Sequence, residues 1–175
     1  TRIVDACANL WGCQREEIFP SSTGVIGQPL PDEKITSALG AIKSNLKPSA
    51  WEDAAKTIMT TDTYSKAATR TAKIGGVEIK INGIAKGSGM IAPDMATMLS
   101  YIFTDAAINH DALQAMLNDS VEDSFNFITV DSDTSTSDTL LVFATGKAGN
   151  KLITGASDAE AHDFKEKLAD LLLEL

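Results

Sequence analysis

The chain has 175 residues, 43% of them apolar and 22% charged, with a formal net charge of −9. That length fits one domain able to bury roughly 70% of its unfolded surface, and the composition excludes wholesale disorder. The acidic balance excludes the basic face that nucleic acid or an anionic membrane demands, and no Lys/Arg cluster supplies one locally.

Residues 2–12 read as a helix, with Ile3, Val4, Ala6, Cys7 and Leu10 on one apolar face. Cys7 and Cys13 match neither a CxxC nor a zinc spacing and read as buried free thiols in a reducing cytosol. "EEIFPSSTGVIG" reads as a short strand entering a glycine-containing loop. "PDEKITSALGAIKSNL" has an acidic first turn and Ile35, Leu39, Ile42 and Leu46 at helical spacing. "SAWEDAAKTIM" reads as a further helix, with Ser49 as N-cap and Glu52 completing a capping box. "TTDTYSKAATRTA" is polar and reads as partly exposed, whereas "GGVEIKINGIA" alternates as a half-buried strand does.

"TMLSYIFTDA" fits a strand or a short buried helix equally. "NHDALQAMLNDSVEDSFNFI" is a stronger helix, with Leu113, Met116, Leu117, Val121 and Phe125 on one face. "FITVDSDTSTSDTLLVFATG" reads as strand, polar loop and strand, and "DAEAHDFKEKLADLLLEL" closes as a helix. Strands alternating with helices predict a layered α/β fold. No apolar run approaches the ~18 residues that span a membrane, so the expectation is a soluble, cytoplasmic protein. The chain begins on Thr1 and stops inside a helical pattern, which reads as a piece of a longer polypeptide, incomplete at both ends.

Several stretches invite chemistry. An EF-hand loop from Asp131 would need glycine and glutamate where Thr136 and Val142 stand, so "DSDTSTSD" reads as no metal site. It reads instead as a polar turn or as a loop buttressing an active site. "SSTGVIG" can aim backbone N–H groups at an oxyanion, although an ordinary turn has the same composition. His110 and His162 lie in polar positions and offer no Ser–His or Cys–His pair. Thr97 is the lone hydroxyl of "MIAPDMATML", which fits a core threonine; it also fits a nucleophile activated by its own α-amine after a peptide cut. Lys86, ahead of the loop glycines, is either a surface lysine or a positive charge for an anionic substrate.

In order, "STGVIGQPLP", "TIMTTDT", "AKGSGMIAPDMATML", "TDAAI", "SFNFITVD" and "DTSTSDT" resemble the signature segments of the ornithine acetyltransferase family. Its members are also named bifunctional glutamate N-acetyltransferase/amino-acid acetyltransferase. The resemblance implies a layered α/β fold and a precursor that cleaves itself at an Ala–Thr bond, here Ala96–Thr97. Residues 1–96 would then end a first (alpha) chain and residues 97–175 begin a second (beta) chain, paired as a heterotetramer.

The resemblance also implies ping-pong transfer of acetyl from N-acetylornithine to glutamate through an acetylated Thr97, in arginine biosynthesis, with acetyl-CoA as a possible further donor. By the same likeness, Thr23 and Gly24 form the oxyanion hole, Thr60, Lys86 and Thr97 bind substrate, and neither metal nor redox cofactor takes part. The family's glycine and asparagine are replaced by Ser132 and Ser137, and its downstream glutamate and asparagine ligands fall beyond Leu175. Two alternatives stay open: a relative acting mainly as an acetyl-CoA-dependent acetylglutamate synthase, and a catalytically silent piece.

Overall fold

The computed structural model describes residues 1–25, 27–87, 98–128 and 137–175. Five helices and four strands alternate there: α1 (Arg2–Trp11), α2 (Asp32–Ser44), α3 (Trp51–Thr57), β1 (Lys66–Ile74), β2 (Val77–Lys86), β3 (Leu99–Thr104), α4 (His110–Val121), β4 (Thr139–Ala144) and α5 (His162–Glu174). The strands form one mixed sheet in the order β1-β2-β3-β4, and the layered α/β architecture read from the sequence is the one observed.

β1 and β2 form a hairpin because Gly75 and Gly76, at φ 57° and 84°, supply the two left-handed positions of a tight turn. β3 pairs antiparallel with β2 and parallel with β4, so α4 lies on the crossover that parallel pairing requires. α4 starts on a true cap: the Asn109 side chain accepts the Ala112 N–H at 2.8 Å.

The core lies between one sheet face and helices α4 and α5. Ile74, Ile79, Ile81 and Ile102 join Met116, Phe164, Leu168 and Leu171 in one buried cluster. α5 approaches β2 closely at Gly83, where an added Cβ would lie 2.9 Å from Leu171 Cδ2 and 2.7 Å from Leu175 Cδ1. The second face is covered by α3 and by the irregular segment 18–25, through aromatic contacts. Trp51 meets Phe103 edge-on, Phe103 stacks on Phe143 at 5.0 Å, and Phe19 meets Phe143 edge-on.

Several expectations need correction. The stretch 16–19 is a single 3-10 turn (Arg15–Glu17) running into irregular chain, not a strand, and Gln14 and Glu17 close that turn reciprocally. The polar stretch 66–74 is strand β1, with Ala68, Ala72 and Ile74 buried under α5. Ser49 does not cap α3: a turn closed by Ala50 N–H to Lys47 O leads directly into the helix, and Glu52 pairs with Lys56 at 2.6 Å instead. Cys7 and Cys13 are free but only half-buried. The ambiguous stretch 99–104 is a strand, placed between β2 and β4. The strand expected to open "FITVDSDTSTSD" is not formed at Phe127 and Ile128, since Phe127 ends a 3-10 turn (Phe125–Phe127), and 129–130 lie outside the described residues.

Candidate functional site

Lys86 ends β2, and pleating decides which way it faces. Ile79, Ile81, Gly83 and Ala85 alternate onto the α5 side, so Ile84 and Lys86 project from the opposite face. Tyr101 pairs with Ile84 across the β2–β3 ladder and therefore shares that face. Ser21 bonds the Tyr101 hydroxyl, and Phe19 covers Phe143 on β4. Segment 18–25 thus passes from β4 to β3, over the face from which Lys86 projects. Thr23 follows half-buried, and Gly24 is exposed, with nothing within 4 Å of where a Cβ would stand. An approach to the Gly24 backbone is sterically open there.

Lys86 is no surface lysine: it is 1% exposed. Burial pushes its ammonium below the usual lysine range; Asp62 and Asp138 oppose that shift, and Lys66 adds to it. A buried cation flanked by two carboxylates and a second cation is a site for recognising charge, because desolvated charges interact strongly.

Asp62 sits in the middle of "TTDT", with its side chain 1% exposed. Its Oδ1 accepts Lys66 Nζ at 2.7 Å and the Gly87 N–H at 2.9 Å, and its Oδ2 accepts the Thr60 N–H at 3.3 Å. Burial raises its pKa, but these donors and the Lys66 charge outweigh burial and hold the carboxyl below its usual range. Lys66 also lies over the Tyr64 ring, 4.6 Å from the centroid. Thr60 is exposed and joined to Lys86 through this carboxylate. Asp138, just before β4, accepts the Met98 N–H at 3.0 Å.

The structure therefore gathers Lys86 and Thr60 around Asp62, and lays Ser21 to Gly24 on the same side of the sheet. Ala96 and Thr97 lie outside the described residues, as does "DSDTSTSD" up to Thr136. His110 and His162 are exposed, as expected, and take no part in this cluster. Asp62 and Tyr101 were not singled out from the sequence, and Ser21 and Asp138 only as parts of "SSTGVIG" and "DSDTSTSD". The buttress reading of the acidic loop was the one signal that pointed toward Asp138.

A family model described as "ArgJ family" matches residues 1–175. The chain is 53% identical to the arginine biosynthesis bifunctional protein ArgJ of Gluconobacter oxydans (strain 621H), over 98% of this chain and 41% of that protein. It is 54% identical to the protein of that name from Rhizobium meliloti (strain 1021), over 100% of this chain and 43% of that one. For Agrobacterium fabrum (strain C58 / ATCC 33970) the identity is 55%, over 94% and 40%. The chain thus spans about two fifths of the length of the curated relatives it matches. A solved structure, the PH0078 protein from Pyrococcus horikoshii OT3, aligns at 15% identity over 62% of this chain and 37% of its own, with a TM-score of 0.45, too loose to carry an argument. With a match that runs from Thr1 to Leu175, the chain belongs to the ArgJ family.

Proposed function

We propose that this chain carries the acyl-transfer centre of an ornithine acetyltransferase acting in arginine biosynthesis. The observation that supports this best is Lys86: a buried ammonium at the mouth of the segment leading to Ala96–Thr97, on the sheet face that segment 18–25 crosses. Self-cleavage at Ala96–Thr97 releases the Thr97 amine as a local general base. The Thr97 oxygen attacks the acetyl carbonyl of N-acetylornithine and passes its proton to that amine. The tetrahedral oxyanion is held by the Thr23 hydroxyl and the Gly24 N–H, donors of the kind such intermediates need. Collapse expels ornithine, whose amine takes the proton, and leaves an acetyl ester on Thr97.

Glutamate then attacks the ester through its amine, and the same donors hold the second oxyanion. Collapse expels the Thr97 oxygen, which takes back a proton that the attacking amine gives up through the Thr97 amine, releasing N-acetylglutamate. Both substrates carry a carboxylate, and Lys86 with Thr60 is the pair offered to it. The alpha and beta pieces, 1–96 and 97–175, stay together as a cytoplasmic assembly. No helix among the described residues is long and apolar enough to cross a membrane.

The test is to incubate the full chain carrying these residues with N-acetylornithine and locate acetyl by peptide mass spectrometry. Acetyl on Thr97 is expected, with transfer abolished in Thr97→Ala. Acetylation elsewhere, or full activity in Thr97→Ala, overturns the proposal.

A further inference from the structure

Residues 87–98 link two strands whose ends already face each other, since Lys86 pairs with Leu99 across the ladder. Each end of that link is held by a different carboxylate. At the first end the Gly87 N–H donates to Asp62 Oδ1 at 2.9 Å, and at the second the Met98 N–H donates to Asp138 Oδ1 at 3.0 Å. Met98 is held twice, because its carbonyl accepts the Thr139 N–H at 3.0 Å. Asp62 comes from the loop before β1 and Asp138 from the start of β4, so elements far apart in sequence converge on one link. Neither contact belongs to the sheet ladder, and both use a side-chain carboxyl oxygen as acceptor.

We propose that Asp62 and Asp138 are a pair of positioning residues that clamp the two ends of residues 87–98 and thereby fix the point from which Thr97 starts. This deepens the acyl-transfer proposal and rests on it for the role of Thr97. The clamp matters most after a cut at Ala96–Thr97. The chain bond from Ala96 is then gone, and the peptide bond to Met98 is the covalent link left to Thr97. A nucleophile must sit within a few tenths of an ångström of its productive position, and a displacement of about 1 Å costs about 10²-fold in rate.

Among the described residues, the same two carboxylates act on the Lys86 ammonium, and Lys66 opposes them. They favour its charged form, so the clamp and the substrate-binding charge are built from the same groups.

The experiment uses the full chain and three readouts. Hydrogen exchange in the Thr97→Ala background reads the clamp without any chemistry. Protection at the Gly87 amide should fall in Asp62→Ala and at the Met98 amide in Asp138→Ala, with α5 protection unchanged as the folding control. Unchanged protection at both amides overturns the clamp, whatever the enzyme does.

In the active chain, Asp138→Ala should lower kcat by about 10-fold to 10²-fold with KM for acetylornithine nearly constant, and Asp138→Asn, which keeps an acceptor oxygen, should recover part of it. A loss carried by KM alone overturns the positioning role. Asp62→Asn removes a charge that favours protonated Lys86, so the alkaline limb of kcat/KM should move to lower pH. An unmoved limb overturns the coupling to Lys86. A failure of the acyl-transfer proposal shows separately, as activity surviving in Thr97→Ala.

Discussion

On the sheet face that meets α4 and α5, Ile79, Ile81 and Ile102 are sealed against Phe164, Leu168 and Leu171, each of these six 0% exposed. The opposite face is covered by rings left partly open, with Phe19 57%, Trp51 37% and Phe103 36% exposed, and it buries the one lysine among the core-depth residues. The first face is made by side chains that gain from leaving water, and the second carries a cation that loses by it. Apolar burial and the buried cation are thus divided between two sides of one sheet. Substitutions on the two sides should differ in sign as well as in size.

The largest effect belongs to the sealed face. Leu168→Ala removes a fully buried side chain and leaves a cavity, so it should cost about 2–5 kcal/mol in a urea titration. Phe103→Ala on the open face should cost about 1 kcal/mol, since its ring is already partly hydrated and its added worth is the pairing with Trp51 and Phe143. Equal costs for the two would erase the distinction between the faces.

Lys86→Met is the sharper probe, because it should move stability the other way. Burial lowers the Lys86 pKa in the folded chain, so between its folded and unfolded values the unfolded chain binds more protons. The charged form therefore destabilises the fold at neutral pH, and stability should rise as pH climbs through the folded pKa toward about 10.4. By that sign an apolar side chain of similar volume should raise stability at pH 7 and abolish the alkaline rise, while transfer activity falls. A destabilised Lys86→Met with the alkaline rise intact would mean that its partners outweigh its burial. Site residues are often held at such a cost to the fold.

The division between faces also explains what could be read in advance. α2, α5 and β2 carry their periodicity in large apolar residues and stand where the pattern puts them, whereas α4 stops at Val121 and leaves Phe125 to a 3-10 turn. β1 escaped because its buried positions are Ala68, Ala72 and Ile74 among polar neighbours. Small residues there suit close packing of α5, which no window of β1 alone can display. The strand expected near Ile18 and Phe19 failed for the reverse reason: its apolar residues cross a sheet face instead of joining the sheet. Lys86 could be singled out, but its burial depends on which face β2 turns toward α5. Asp62 and Asp138 could not be paired, because their common target is backbone at opposite ends of a link.

The smallest predicted difference separates two residues that a sequence pattern treats alike. Asn109 has extended backbone (φ −72°, ψ 162°), and its side chain accepts the Ala112 N–H, so Asn109→Ala should cost about 1 kcal/mol. Ser49 precedes a helix with acidic residues in its first turn, yet α3 begins after a turn in which Ala50, at φ −88° and ψ 8°, occupies the cap position. A side chain one residue outside the cap has no orphan N–H to satisfy, so Ser49→Ala should stay within about 0.5 kcal/mol of the parent. The two substitutions remove the same kind of polar group from the entrance of a helix. A matched loss in both would show that α3 starts one residue earlier in solution, with Ser49 as its cap, and would move the first turn of the helix that holds Trp51 against Phe103.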